Sequence, residues 1–272
     1  MSEARFQRRI QRYGWDKAAG VYEEYWARQL EPAQSRLLSL AALLPGENVL
    51  DVACGTGLIT FRAVAQVGPQ GSVAGADISE RMIQSAEREA ERRQVKSVRF
   101  HRSDAEDLPY APETFDAALC ALGLMYFPDP VAALRTMRSA LRPGGRAVAA
   151  VWGERKRCGW ARIFPIVDCR VQSDVCPMFF QLGTGANLAS AFAGAGFTDV
   201  HIERLPTVLC YVSAEQACGA AFAGGPVALA YSRFDDATRR EAHAEYLESI
   251  ECYRNGSGYD VPGEFVIASA RA

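Results

Sequence analysis

The stretch Val49-Leu50-Asp51-Val52-Ala53-Cys54-Gly55-Thr56-Gly57 reads as an apolar strand running into a glycine turn. Gly55 and Gly57 let the backbone turn tightly and approach a ligand with no Cβ in the way. A helix beginning near Leu58 aims free N–H groups and its positive dipole end at the same space, a setting that suits a carboxylate or phosphate. Outward from this unit the pattern repeats. Leu58 to Val67 is a helix stopped by Gly68-Pro69-Gln70-Gly71, and Ser72 to Ile78 is a second strand. Ser79 caps a helix whose inner face is Met82, Ile83, Ala86 and Ala90. Val98 to Arg102 and Phe115 to Leu122 read as the third and fourth strands. Asp129-Pro130 opens a helix with Val131, Leu134, Met137 and Leu141 on one side, and Pro143-Gly144-Gly145 stops it before a fifth strand, Arg146 to Trp152. This alternation predicts an α/β fold, a parallel sheet with right-handed crossovers whose ligands sit beyond the carboxyl ends of the strands.

The flanks are less regular. Phe6, Ile10 and Tyr13 recur at helical spacing, as do Tyr22, Trp26 and Leu30 behind an Asp16 cap, so residues 3–44 read as helices stopped by Pro45-Gly46. Past the fifth strand come a helix, Asn187 to Ala195, closed by Gly196, and a strand, Val200 to Tyr211. Ser213 and Gln216 make a capping-box signature for a helical stretch that reaches about Arg254, broken at Gly224-Gly225-Pro226. Glu264 to Ala270 is the last strand. No repeat or linker sets off a second domain. The expected organisation is one domain: a helical cap over 1–44, a binding core over 45–153, a covering insertion over 154–198, and the last two strands with a helical insertion over 199–272.

Composition excludes several classes. Thirty basic against 32 acidic residues give a net charge of -2, which disfavours a globally basic nucleic-acid binder. Val175 to Thr198 is uncharged, but Pro177, Asn187 and its glycines rule it out as a membrane span. Arg5, Arg8, Arg9 and Arg12 are joined by no apolar block, so no secretory signal is expected and the run reads as a solvated helix face. The eight cysteines contain no Cys-x-x-Cys pair, and no His stands at a zinc-finger offset, so reduced thiols, a cytoplasmic setting and no metal site are expected.

Three strand ends carry the chemistry. Asp77 stands twenty residues past Gly57, at the end of the second strand, where a carboxylate accepts from both hydroxyls of a ribose. Asp104 follows the third strand, with Ala105 behind it. A dinucleotide fingerprint needs a third glycine, and Thr60 stands in its place. Asp51, inside the strand before the turn, would add negative charge beside a pyrophosphate, so a cationic nucleoside fits better.

These motifs together resemble the class I S-adenosylmethionine-dependent methyltransferases, close to the type that acts in ubiquinone and menaquinone biosynthesis. The resemblance rests on Val49 to Gly57, Gly75-Ala76-Asp77-Ile78-Ser79 with Met82, and Ser103-Asp104-Ala105-Glu106-Asp107-Leu108-Pro109. Thr114-Phe115-Asp116-Ala117-Ala118 and Leu141-Arg142-Pro143-Gly144-Gly145-Arg146 extend it, and order and spacing agree from about residue 45 to 153. Ala53 departs from a usual glycine, and Ser139-Ala140-Leu141 from a usual Arg-Val-Leu. The resemblance implies a Rossmann-like methyltransferase fold: a seven-stranded, mostly parallel sheet with helices on both faces, an N-terminal helical cap, and helical insertions after strands five and six. It also implies S-adenosyl-L-methionine as cofactor and S-adenosyl-L-homocysteine as its product.

On that basis Gly55 and Gly57, with Thr56 and Asp51 in the same motif, would pack around the methionine portion and ribose, and Asp77 would hold the ribose hydroxyls. Ile78 and Met82 would flank adenine, Asp104 would accept from its exocyclic amine beside Ala105, and Ala121 would lie near the sulfonium. Tyr22, with Tyr25 and Trp26, would roof the cofactor. No catalytic base is singled out, and His101, His201 and His243 read as structural. The expected acceptor is a small apolar or aromatic molecule rather than a nucleic acid, because the fourth strand lacks the blocks of base-methylating enzymes. A homodimer is left open. Two rivals stand beside this reading: metalloid or thiol methylation through Cys158, Cys169 and Cys176, and an NAD-dependent oxidoreductase on the same sheet.

Overall fold

The computed structural model describes residues 3–171 and 179–272. Its centre is β1 (Asn48–Val52), four of whose five residues are buried. On one side β1 pairs in parallel with β2 (Ser72–Asp77), and β2 with β3 (Val98–Arg102). On the other it pairs in parallel with β4 (Phe115–Ala121), and β4 with β5 (Leu141–Trp152). The chain thus reverses direction across the sheet between β1 and β4, opening a crevice where such sheets bind ligands. Two long strands, β6 (Thr198–Tyr211) and β8 (Gly258–Arg271), complete the order β3-β2-β1-β4-β5-β8-β6, with β8 antiparallel to both of its neighbours. A two-residue strand, β7 (Arg254–Asn255), folds back on β8, so the sheet has seven long strands and this short eighth.

Helices cover both faces. α1 (Glu3–Ala18) and α2 (Tyr22–Ala41) form the N-terminal cap, and α2 packs on β4, β5 and β8. α3 (Leu58–Val67) follows β1, and α4 (Glu80–Arg92) leans on β2 and β3. The Ser79 hydroxyl accepts from the Met82 N–H, and Met82, Ile83, Ala86 and Ala90 are the buried face of α4, as the spacing predicts. α5 (Pro130–Ala140) is capped by the Asp129 carboxylate, with proline in the first turn. α6 (Ile163–Asp168) and α7 (Asn187–Gly194) belong to the insertion after β5. α8 (Ala214–Cys218), a π-helical turn over Gly219–Ala223, α9 (Ala228–Tyr231) and α10 (Asp236–Ser249) fill the insertion after β6.

Three local expectations fail, each for a tertiary reason. Asp16 does not cap α2, which starts at Tyr22 with no side-chain cap; it lies inside α1 and accepts from the Ser79 hydroxyl (2.6 Å) and the Arg81 N–H (3.2 Å) at the start of α4. β5 begins at Leu141 rather than Arg146, because Leu141 already pairs with Phe115 and a register shift absorbs the Pro-Gly-Gly turn. β8 begins at Gly258 rather than Glu264, since β6 pairs with it along almost its whole length and carries Pro262 and Gly263 in the strand.

Candidate active site

The turn after β1 is shaped for close approach. Gly55 and Gly57 have φ of +56° and +92°, and a Cβ on Gly57 would stand 2.6 Å from the Phe61 ring. Ala53 has φ +56° and holds that left-handed conformation with a Cβ attached. Its Cβ is accommodated because Gly123 faces it, where a second Cβ would stand 2.4 Å away.

Above this turn lies a partly open crevice. Eight of the eleven residues expected at the site reach its wall: Tyr22, Gly55, Asp77, Ile78, Met82, Asp104, Ala105 and Ala121. Asp51, Thr56 and Gly57 do not. Asp51 is 1% exposed behind the turn, and Gly57 is the N-cap of α3. Nor do the histidines: His243 bonds the Tyr231 hydroxyl (3.0 Å) and His101 packs edge-on against Tyr110.

Asp77 ties the motifs together. Its Oδ2 accepts from the Gly55 N–H (2.9 Å) and its Oδ1 from the Ser79 N–H (2.8 Å). Burial pushes its carboxyl up to about 6 against the pull of these bonds. Asp51 Oδ2 accepts from the Thr60 hydroxyl (2.6 Å), which explains the threonine at the third-glycine position and removes the dinucleotide fingerprint. Burial, reinforced by the Asp77 charge, pushes the Asp51 carboxyl up to about 7. Its Oδ1 is buried with no hydrogen-bond partner. The Tyr22 phenol is pushed up by burial first and then by the Asp77 charge, so it stays protonated.

The far wall comes from α1, whose arginine run reads in the sequence as a solvated face. Arg5 and Arg9 are exposed, but Arg8 turns inward. Its Nε lies 2.6 Å from Asp104 Oδ2 and its NH2 bonds Glu106. Asp104 Oδ1 meanwhile accepts from the Glu106 N–H (3.0 Å), so this carboxylate is already engaged on both oxygens. Gln11 and Trp15 follow Arg8 one and two turns along the same face and also line the crevice. Of these three only Trp15 is apolar, so no hydrophobic periodicity marks this second buried face of α1 in the sequence.

Behind the crevice, sharing Trp15, Tyr22, Leu122 and Tyr126 with it, lies a smaller inner chamber. Trp26, Trp152, Trp160 and Phe179 supply more of its wall, and Gly225 and Pro226 close one side. Trp15 meets Tyr22 and Tyr126 edge-on at 5.8 and 5.1 Å, while Trp152 and Trp160 stand 4.8 Å apart. Tyr25 is not on this wall; its ring fills the space beside Gly219. Cys176 and Met178 lie outside the described residues, whereas Phe179, from the insertion after β5, is on this wall.

A nucleoside-sized crevice at the switch point of a seven-strand sheet, with β8 antiparallel between β5 and β6, defines a Rossmann-like methyltransferase fold. A family model described as "Methyltransferase domain" matches residues 43–156. A demethylmenaquinone methyltransferase of a Geobacillus species is 32% identical over 176 residues, 58% of this chain and 74% of that protein. The nocamycin O-methyltransferase of Saccharothrix syringae is 37% identical over 133 residues, 48% of this chain and 47% of that one. Among solved structures, the phosphoethanolamine N-methyltransferase 2 of Haemonchus contortus, a complex with S-adenosylhomocysteine, superposes with a TM-score of 0.63 at 15% identity, over 100% of this chain and 60% of its own. The chain belongs to the class I S-adenosylmethionine-dependent methyltransferases of the ubiquinone and menaquinone type. It spans about half the length of the Saccharothrix relative.

The metalloid rival loses ground on geometry. Cys158 is 3% exposed and burial pushes its thiol up to about 12, the reverse of a thiolate poised for a soft metalloid. Cys169 is exposed, Cys176 lies outside the described residues, and no cluster among the described residues could hold a metal. Also among the described residues, no helix is long and apolar enough to cross a membrane.

Proposed function

We propose that the crevice binds S-adenosylmethionine and that the protein transfers its methyl group to a small organic molecule held in the inner chamber. The observation that carries this is the meeting of β1, β2 and β3 tips on one cavity, with Asp77 between the glycine turn and the start of α4. Each Asp77 oxygen has spent one lone-pair direction on a backbone N–H, which leaves capacity for two ribose hydroxyls. Ser103 Oγ, on the wall of the same cavity, is buried without a partner, a group that a polar nucleoside would satisfy. Ile78 and Met82 offer an apolar slot for adenine, with Ala105 and Ala121 on the wall. Asp104 acts here as the anchor of Arg8, with the adenine amine approaching an oxygen that already carries the pair.

Bound there, the cofactor supplies an electrophilic methyl group. The chain's own part is positioning and exclusion of water, which suffice for much of the rate of a displacement in which charge disperses. Trp15, Tyr22 and Tyr126 stand between crevice and chamber for that purpose. The names of the relatives, for nocamycin and demethylmenaquinone, support a small organic acceptor rather than a nucleic acid. The free thiols support a reducing, cytoplasmic setting. The fold supports a single working domain, with 1–44 as its cap and a homodimer compatible with it. Titration calorimetry tests the reading: S-adenosylhomocysteine binds and NADH does not. Binding of NADH alone would overturn it. A screen of small metabolites with isotopically labelled S-adenosylmethionine then identifies the acceptor.

A further inference from the structure

Asp16 stands in the last turn of α1, where the negative end of the helix dipole faces it and a cation would be favoured. Its carboxylate is used elsewhere. Oδ1 accepts from the Ser79 hydroxyl (2.6 Å) and from the Arg81 N–H (3.2 Å), at the positive end of α4. Neither Asp16 nor Ser79 is among the described residues of the crevice wall. We propose that Asp16 is a positioning residue for the cofactor's ribose: by taking the Ser79 hydroxyl proton, it keeps a lone pair of Asp77 Oδ1 free for a ribose hydroxyl. This rests on the methyltransferase reading and deepens its ribose contact.

Ser79 is fully buried, and all of its polar groups are committed. Its N–H donates to Asp77 Oδ1 (2.8 Å), and its carbonyl accepts from the Ile83 N–H (3.2 Å). Its hydroxyl oxygen accepts from the Met82 N–H (3.2 Å), and the hydroxyl proton goes to Asp16. A serine hydroxyl has one proton and rotates to place it. Two carboxylates flank it here, Asp16 from α1 and Asp77 two residues back along the chain. With Asp16 in place the proton points to α1. With Asp16 gone, a buried O–H needs another acceptor, and Asp77 is the carboxylate on the other side. A second bond from Ser79 would occupy the Oδ1 lone pair that the ribose needs, since each carboxylate oxygen offers about two such directions. Oδ2 is likewise engaged by one N–H, that of Gly55 (2.9 Å). The two oxygens therefore keep room for both ribose hydroxyls only while the Ser79 hydroxyl is turned away.

The surrounding contacts serve the same end. The N–H groups at a helix start lack partners within the helix. In α4 the Ser79 hydroxyl takes that of Met82 and Asp16 takes that of Arg81, so the first turn is fixed from two helices. Ile78 and Met82, at either end of this turn, line the crevice, and so does Trp15, next to Asp16 on α1. A cap serving the stability of α4 alone needs no link to α1, because Ser79 already supplies one.

The test uses the full chain and titration calorimetry with two probes, S-adenosylhomocysteine and its 2′,3′-dideoxy analogue, which lacks both ribose hydroxyls. The wild-type chain is expected to bind S-adenosylhomocysteine about tenfold or more tighter than the analogue. Asp16→Ala is expected to shrink that preference about fivefold, chiefly by weakening S-adenosylhomocysteine. Both bonds fall on Oδ1, so Asp16→Asn, with a carbonyl oxygen there, should keep the preference within about twofold of the wild-type value. A role confined to stability would weaken both ligands alike. A preference that survives in Asp16→Ala therefore overturns the proposal, as does an Asp16→Asn variant that loses it to the same extent, or a wild-type chain with no preference. Should Asp16→Ala fail to fold, Asp16→Glu replaces it: the charge stays, the longer side chain moves the acceptor, and the preference is expected to fall in the same way, its survival overturning the proposal. Failure of S-adenosylhomocysteine to bind the wild-type chain would instead overturn the methyltransferase reading itself.

Discussion

Asp77 is both a ligand group and a structural one, and its substitutions should show the two roles together. Sequence alone predicts that its loss weakens the cofactor site and leaves the empty protein unchanged. The Gly55 and Ser79 N–H groups that rest on its two oxygens argue that the empty protein loses stability as well. Asp77→Asn keeps one acceptor and turns an NH₂ against the other N–H. It should raise the Kd for S-adenosylhomocysteine about tenfold or more and lower apo stability by about 1–3 kcal/mol, read by calorimetry and thermal melts. Asp77 and Asp51 also make binding pH-dependent. Burial raises their carboxyls to about 6 and about 7, so below those values the free site is protonated. The ligand's ammonium favours the ionised form, hence affinity should rise from pH 5 to 7.5 with proton release, then flatten. The unfolded chain gives up the same protons near pH 4, so these two groups destabilise the apo protein as pH rises through that window. An affinity flat from pH 5 to 7.5 would show that neither carboxyl is coupled to the ligand. Ala53→Gly should act in the opposite direction, relieving a left-handed alanine and raising apo stability by about 1 kcal/mol in a melt.

At the scale of elements, α1 decides how closed the site is. It is held at two points: Arg8 on Asp104 and Glu106 beyond β3, and Asp16 on Ser79 and the Arg81 N–H at the start of α4. Arg8→Ala should weaken S-adenosylhomocysteine binding several-fold and speed proteolysis within α1, while the far-ultraviolet spectrum of the sheet stays as it is. Unaltered proteolysis and affinity would mean that the ion pair, about a third exposed on each side, is too well solvated to matter. Much of this architecture was legible locally. Glycine and proline stops, the Ser79 and Asp129 caps and the apolar runs of β1, β2 and β4 announce themselves within a few residues. The clamp did not, because Arg8 finds its partner 98 positions away and nothing nearby marks it apart from Arg5 or Arg9. The chamber was hidden for the same reason. Trp15, Trp26, Trp152 and Trp160 come from the cap and from the end of β5 with its insertion, and no periodic pattern links them. The early start of β8 was masked by Pro262 and Gly263, which read as a break until β6 pairs across them.

For the whole molecule, these placements make ligand binding an event of the cap rather than of the sheet. The residues of β1, β4 and β5 that form the core are already buried and paired, so a ligand at their tips has little left to order there. α1 is different: three successive turns, through Arg8, Gln11 and Trp15, face the crevice, and its hold on the rest is polar and partly solvated. Ligand at a hundred times its Kd adds about 2.7 kcal/mol to the folded state, which for a chain of this size is a rise in Tm of roughly 5 °C or more. Hydrogen exchange should locate where that stabilisation is felt. Amides of α1 and of the turn around Gly55 should slow severalfold on adding S-adenosylhomocysteine, whereas those of β4 and β5 should slow only as far as global stability rises. If protection instead rose first in the strands, the cap would already be closed in the free protein. Access to the inner chamber would then have to come from the side of Phe179 and the Gly225-Pro226 rim.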